Sequence, residues 1–276
     1  MKLHVINTGY FKLDGGAMFG VVPKSIWNKL NPADEQNLCN WAMRCLLIED
    51  EKRLILIDTG IGNKQDEKFF GHYHLSKIKS IEECLNEIGF SNNHITDVFL
   101  THLHFDHVGG AIERKNNKLV PAFPNATYWS SSQHWEWANN PNDREKASFL
   151  KENIAPIMDT GKLKFVEDGT DFNNFTIRFV HGHTSAMMLP QITYKQKQVV
   201  FMADLLPSVG HIPLPYVMAY DMFPLTTLEE KSEFLEEAVE NQYILFFEHD
   251  PVNECCTLER TPKGIRKKET FNLVDL

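Results

Sequence analysis

Short runs of apolar and β-branched residues recur along the chain, and each run predicts a buried strand. They cover residues 53–57, 97–100, 175–180, 198–202 and 243–247. The runs share one property, because a histidine or an aspartate follows each of them within a few residues. Loops that leave one edge of a sheet can converge, so we expect these side chains to meet.

Two other segments carry apolar residues at helical spacing behind a polar start. Ser80 and Glu83 have the spacing of a capping box, and Gly89 suits the position after a helix end. Thr227 and Glu230 have the same spacing. We therefore predict one helix from about residue 80 to 88 and a second one that begins at Thr227.

The segment from about residue 129 to 157 differs from the rest, because it is rich in tryptophan, asparagine and charge. It predicts a helical insertion that lies over an edge of the core. Its aromatic residues could form an apolar pocket wall, or they could pack the insertion onto the core or form a homodimer contact. The wall candidates are Trp129, Trp135, Trp137 and Phe149, with Met18, Phe19 and Met218. The isolated His134 is given no functional role.

Composition and charge narrow the class of protein. The chain has 276 residues, of which 42% are hydrophobic and 24% charged, as in ordinary globular proteins. Its net charge is -9 and its basic residues form no long cluster, which disfavours nucleic acid as a substrate. No apolar stretch suggests a membrane span and no signal peptide is apparent. We expect a cytoplasmic protein with reduced cysteines that acts on a small molecule.

The strongest chemical signal is the run Thr101-His102-Leu103-His104-Phe105-Asp106-His107. His102 and His104 are two residues apart at a strand end, so their side chains point to the same side and can bind one ion. Asp106 and His107 follow a turn and point elsewhere. Three imidazoles and one carboxylate suit zinc or a similar divalent ion. His72-Tyr73-His74 lacks nearby carboxylates and is interpreted as a loop.

One ion would still lack ligands, because catalytic sites need at least three protein groups. The later strand ends supply His183, Asp204 and His249. A pattern of His-x-His-x-Asp-His, then Gly-His-Thr, a later aspartate and a final histidine resembles the metallo-β-lactamase superfamily, from about Asp58 to His249. The resemblance implies an α/β (α+β) fold, a four-layer αββα sandwich, with residues 1–276 as one domain.

The resemblance also implies how the ligands divide between two ions. The first ion would be held by His102, His104 and His183. The second would be held by Asp106, His107 and His249. Asp204 would bridge the ions, Asp58 would orient ligands from behind, and Asp106 is the catalytic candidate. His181 is an alternative to His183, although the family pattern favours His183.

The function that the resemblance implies is metal-dependent hydrolysis. Two divalent ions, zinc first and iron or manganese as alternatives, would share a hydroxide that attacks a carbonyl or phosphoryl centre. The chain is similar to acyl-homoserine lactonases and related organophosphate hydrolases, which suggests a lactone, an ester or a phosphotriester. It departs from the lactonases at Pro207, where they commonly carry a tyrosine. Tyr216 or Tyr220 could supply the proton instead, and His211 is a pocket-lining or solvent-facing candidate.

Three other interpretations stay open. One is a thioester hydrolase similar to glyoxalase II, and another is an iron persulfide dioxygenase with a single iron. The third is a ligand-binding relative without catalysis. The full set of seven ligand-type residues weighs against this last interpretation, because burying converging charged and imidazole groups is costly. Metal analysis would separate the dioxygenase from the hydrolases.

Overall fold

The computed structural model describes all residues from Met1 to Leu276. Its fourteen strands are β1 (Lys2–Asp14), β2 (Leu38–Asp50), β3 (Arg53–Ile57), β4 (Asp97–Phe99), β5 (Ile112–Lys115), β6 (Lys118–Pro121), β7 (Thr127–Ser131), β8 (Leu163–Val166), β9 (Phe175–Val180), β10 (Met187–Tyr194), β11 (Lys197–Phe201), β12 (Ile244–Phe246), β13 (Cys255–Thr261) and β14 (Gly264–Phe271). Its eight α-helices are α1 (Gly15–Phe19), α2 (Lys24–Trp27), α3 (Glu67–Gly71), α4 (Ile81–Glu87), α5 (Phe105–Val108), α6 (Ser132–Asn139), α7 (Lys151–Asp159) and α8 (Pro224–Glu240).

Two six-stranded sheets form the centre of the molecule. The strand order in the first sheet is β1-β2-β3-β4-β7-β8, and in the second it is β14-β13-β12-β11-β10-β9. Strands β3, β4, β7 and β8 run parallel, as do β11 and β12, so their carboxyl ends lie at one edge of each sheet. Strands β5 and β6 form a separate hairpin.

The main hydrophobic core lies between the two sheets. Leu46, Ile48 and Ile57 of the first sheet share this core with buried residues of the second, such as Ile177 and Leu245. Side chains alternate along a strand, so the neighbouring residues of β2 and β3 face the other way. They join a second core with α4, α6 and α7, while α8 packs on β13 and β14. The order helix, sheet, sheet, helix confirms the predicted αββα sandwich.

One of the two predicted capping boxes is present. Ser80 Oγ accepts from the backbone N–H of Glu83 at 3.1 Å, and the Glu83 carboxylate accepts from Ser80 N–H at 2.7 Å. The other prediction was wrong, because α8 begins at Pro224 and not at Thr227. Proline with its fixed φ suits the first turn of a helix. The Glu230 carboxylate instead accepts from the backbone N–H groups that precede His183.

The helical insertion also starts later than predicted. Trp129 lies in β7, where β-branched and aromatic neighbours favour a strand, and its ring stacks on Phe99 of β4 at 5.5 Å between centroids. The helical part begins at Ser132 and contains α6 and α7. None of the helices is both long enough and apolar enough to cross a membrane.

Candidate metal centre

The histidine-rich run changes direction at His104. His102 and His104 follow β4, and His104 has extended backbone angles, whereas α5 begins at the next residue and carries Asp106 and His107. The first pair therefore extends from the end of a strand and the second pair from the first turn of a helix. Asp58, at the end of β3, lies behind them with a φ of 56°.

Three further strand ends bring the remaining side chains to this edge. His183 follows β9, Asp204 follows β11 and His249 follows β12. These three are buried, as are the four side chains of the histidine-rich run. All seven residues that the sequence singled out as ligands therefore meet at one edge of the sandwich.

The first cluster comprises His102, His104, His183 and Asp204, whose ligand atoms all lie within 4.8 Å of one another. His104 Nδ1 is 3.2 Å from His183 Nε2, and His183 Nε2 is 3.1 Å from Asp204 Oδ2. His102 Nε2 is 3.9 Å from the same carboxylate oxygen. Three imidazole nitrogens and a carboxylate oxygen thus surround one small volume.

The second cluster comprises Asp106, His107 and His249. His107 Nε2 is 3.2 Å from His249 Nε2 and 3.7 Å from Asp106 Oδ2. Asp204 also reaches this cluster, because its Oδ1 is 3.1 Å from His249 Nε2. Its carboxylate therefore lies between the two clusters.

Buried partners fix which nitrogen each ring of the first cluster presents. Glu145 Oε1 is 2.9 Å from His104 Nε2, and Asp221 Oδ1 is 2.8 Å from His183 Nδ1. An ionised carboxylate only accepts, so these nitrogens carry the protons. The free lone pairs are then on His104 Nδ1 and His183 Nε2, the two atoms that face the cluster.

Partners from the core orient the second cluster. Asp58 Oδ2 and Glu248 Oε2 are each 3.1 Å from His107 Nδ1, and His249 Nδ1 donates to the carbonyl of Ala42 at 2.8 Å. Both rings therefore present Nε2 to the cluster.

The donor set fits divalent ions. His102 Nε2 is buried and has no hydrogen-bond partner, although buried polar atoms are almost always paired. Its other nitrogen, Nδ1, lies 3.1 Å from the Thr101 hydroxyl, which itself donates to Asp58 at 2.6 Å. Burial also holds the pKa of His102 well below its usual range, so the ring is a neutral ligand. A divalent metal ion would supply the partner that this nitrogen lacks.

Comparison with known proteins agrees with this geometry. The family model described as the metallo-beta-lactamase superfamily matches residues 44–249. The chain belongs to the metallo-beta-lactamase superfamily. The matched range includes Asp58 and all seven ligand-type residues, and it confirms the family predicted from the sequence.

The chain is also similar to curated N-acyl homoserine lactonases. N-acyl homoserine lactonase from Bacillus cereus is 30% identical over 129 residues, which are 43% of this chain and 47% of the relative. The lactonase AiiA from Bacillus thuringiensis subsp. kurstaki matches to the same extent. The matched segment thus spans about half the length of these relatives.

Two solved structures similar to this protein cover nearly the whole chain. A probable metal-dependent hydrolase from Staphylococcus aureus has a TM-score of 0.89 at 28% identity and covers 98% of both chains. AidC, a dizinc quorum-quenching lactonase in complex with a product, has a TM-score of 0.81 at 23% identity. That match covers 98% of this chain and 95% of AidC and shows a shared fold.

A cavity of about 240 Å³ opens onto both clusters. Its polar lining includes Arg144, Glu145, Ser148 and Tyr220. Its apolar lining is Leu13, Met18, Phe105, Met218, Ala219 and Met222. A larger groove of about 710 Å³ elsewhere on the surface is lined by no histidine. Because only the smaller cavity combines an apolar wall with ligand-type residues, it is the candidate substrate pocket.

The predicted aromatic wall was wrong for most of its members. Met18 and Met218 line the pocket, but none of the predicted aromatic residues does. Trp135 and Phe149 are buried in the core beneath α6 and α7, as the alternative interpretation had it. The pocket wall is therefore rich in methionine and not in tryptophan.

Other candidate histidines lie outside both clusters. His181 Nδ1 accepts from the backbone N–H of Ala186 at 3.2 Å, and His183 occupies the ligand position. His211 is neither pocket-lining nor solvent-facing, because it is buried against Phe19, with its ring nitrogens on Ser208 Oγ and the Met18 carbonyl. His72 and His74 are exposed, in agreement with a loop.

Several supporting residues were not found from the sequence. His134 Nε2 accepts from Leu103 N–H at 2.8 Å, and its Nδ1 donates to the Ser185 carbonyl at 2.7 Å. It thereby ties the loop between the two leading histidines to the loop that carries His183. Glu145 and Asp221 were missed as well, because no local motif marks them. Glu248 is adjacent to His249, which was the only available signal.

Proposed function

We propose that this chain is a metal-dependent hydrolase that holds two divalent ions and cleaves a lactone or ester. Zinc is the first candidate for the metal. The observation that carries the proposal is the convergence of seven ligand-type side chains, whose ring nitrogens face inward in two adjacent clusters. The similarity to N-acyl homoserine lactonases and to AidC, a dizinc lactonase, supports the substrate class and the metal.

The first ion would be held by the imidazoles of the first cluster and the second ion by the second cluster, with Asp204 between them. A pair of ions, when bound, supplies an activated water and a Lewis acid for the substrate oxygen. The role of the chain is to hold the imidazoles in the orientation that turns one nitrogen of each ring toward an ion. Asp58 does so for His107, and it is itself held by the backbone N–H of Thr101.

The pocket supplies a hydrogen-bond donor for the departing oxygen. Pro207 has no hydrogen to donate, but Tyr220 lines the pocket and Tyr216 does not. Burial, with the charges of Asp14 and Asp106, raises the pKa of Tyr220 to about 12, so the phenol keeps its proton at neutral pH. We propose that Tyr220 donates to the leaving group. Asp106, the catalytic candidate, also lines the pocket.

The complete second cluster favours a hydrolase with two ions over a dioxygenase with one iron. A panel of lactones, aryl esters, thioesters and phosphotriesters, assayed on protein of measured metal content, tests the proposal. We expect two ions per chain and the fastest turnover on lactones or aryl esters. Turnover of none of these substrates by the fully loaded protein would contradict it.

A further inference from the structure

Glu145 is a buried carboxylate in the segment between α6 and α7, and only 2% of its surface is exposed. A local turn fixes its position, because Asn142 Oδ1 accepts from the backbone N–H groups of Arg144 at 2.9 Å and of Glu145 at 3.1 Å. The side chain lies at the pocket and reaches one of the ligand-type histidines. A buried charge needs a specific set of partners, and these partners suggest its role.

Both oxygens of the Glu145 carboxylate are occupied by donors. Oε1 is 2.9 Å from His104 Nε2, and Oε2 accepts from Trp137 Nε1 at 2.6 Å. Nε2 and Nδ1 lie at different edges of the imidazole ring, and Nδ1 is the atom that faces His183. Glu145 is therefore one residue removed from the ion that the first cluster would hold, and it acts through His104.

We propose that Glu145 is a positioning residue that fixes His104 as an Nδ1 ligand and thereby sets the affinity of the first cluster for its ion. This inference rests on the proposed function. Without the carboxylate, His104 can move its proton to Nδ1 or rotate its ring, and either change removes the lone pair from the cluster. Outer partners of this kind typically contribute 10- to 100-fold in metal affinity.

The neighbouring residue connects Glu145 to the second carboxylate of the first cluster. The Arg144 guanidinium donates to the carbonyls of Ala219 and Asp221, and the Asp221 carboxylate accepts from His183. Two adjacent residues of one segment therefore support His104 directly and His183 indirectly. The hydrogen-bond partners of the two histidines in the second cluster lie outside this segment, since they are Asp58, Glu248 and the Ala42 carbonyl.

The experiment compares the variants Glu145→Ala and Glu145→Gln with the wild-type chain. Zinc affinities are measured by competition with a chromophoric chelator, and the ligand field of each site by the spectrum of the cobalt(II)-substituted protein. We expect Glu145→Ala to weaken the binding of one of the two ions about 10- to 100-fold and to leave the affinity for the other ion unchanged. Glu145→Gln keeps one acceptor oxygen and is expected to lie between Glu145→Ala and the wild type.

Glu152→Gln is the matched control, because Glu152 is a glutamate of the same insertion whose side chain is 52% exposed. It is expected to bind both ions as the wild type does. NMR of the cobalt(II)-substituted protein adds a readout that distinguishes loss of the Glu145–His104 contact from a general destabilisation of the fold. The shifted, slowly exchanging N–H signal of His104 is expected to be lost in Glu145→Ala, while the N–H signals of the second cluster remain.

Two results would overturn the inference. One is unchanged affinity for both ions in Glu145→Ala and Glu145→Gln. The other is a loss of affinity that is equal for the two ions. If Glu145→Ala does not fold, Glu145→Gln gives the decision, since it conserves size. A wild-type chain that holds fewer than two ions would refute the proposed function itself, whereas two ions bound equally tightly by all variants would refute only the role of Glu145.

Discussion

The two clusters of ligand-type residues and the wall of the adjacent pocket are built in different ways. The clusters lie at strand ends, their histidines are buried, and the outer nitrogen of each ring has a partner. Much of the wall comes from two loops, residues 144–148 and 218–222, and Tyr220 on the second loop is 38% exposed. The groups that would hold the ions are thus fixed by the core of the fold, whereas many of the groups that would contact a substrate belong to loops that can vary. Rate and metal content should therefore respond differently to substitutions in the two regions.

The largest effect is expected when the first cluster is broken. His102→Ala combined with His104→Ala removes two of its three imidazoles, so the affinity for the first ion should fall by more than about 100-fold and hydrolysis should drop to background. Metal analysis and an aryl ester assay on the same sample check this. His72→Ala with His74→Ala has the same His-x-His spacing on an exposed loop and should change neither quantity.

The next effect concerns the support beneath the clusters. Asp58→Ala removes the acceptor of two buried donors, Thr101 N–H and Thr101 Oγ–H, and one of the two carboxylates beside His107 Nδ1. We expect a loss of about 3 kcal/mol in the free energy of unfolding and weaker binding of the ion in the second cluster. Urea denaturation and chelator competition measure these. Asp143→Ala, at a side chain that is 97% exposed, is the control, and equal behaviour of both variants would argue against this support.

A change in the wall should affect rate without affecting metal. Tyr220→Phe removes the proposed donor to the leaving group, and loss of one hydrogen bond to a developing charge corresponds to about 10- to 100-fold in kcat. The metal content should remain that of the wild type. Tyr194→Phe, on β10 outside the pocket lining, provides the comparison. An unchanged kcat in Tyr220→Phe would show that a group other than Tyr220 donates the proton.

The smallest effect on turnover is expected at Lys231, which holds the loop that leads into the pocket wall. Lys231 of α8 is fully buried and donates to the carbonyls of Pro213, Leu214 and Tyr216. Lys231→Met leaves these carbonyls without a charged donor, which should cost about 2 kcal/mol of stability. The KM should rise a few-fold because the loop before Met218 loosens. Exposed Lys268→Met is the control, and identical KM values for the two variants would contradict this anchoring.

The same contrast explains how much the sequence could predict. The clusters were predictable because their ligands follow hydrophobic strands and because His102, His104, Asp106 and His107 lie within one short run. The core strands were predictable too, since a fully buried strand is a short β-branched run between turn signals.

The remaining parts depend on contacts between distant segments. Glu145 and His104 are 41 residues apart, and Asp221 and His183 are 38 apart, so no local pattern reveals either pair. For the tryptophans the sequence left two alternatives open, a pocket wall or packing onto the core, and the structure places them in or beside the cores. The start of α8 was misplaced because Glu230 pairs with the His183 loop and not with its own helix.

The central claim is that two ions held by the two clusters are required for hydrolysis. The most direct test is to strip the wild-type protein with a chelator and to titrate zinc back while measuring the rate on an aryl ester or lactone. We predict no activity without metal and a rise that is complete at two equivalents per chain. Full activity in the stripped protein, or a rise complete at one equivalent, would contradict the claim.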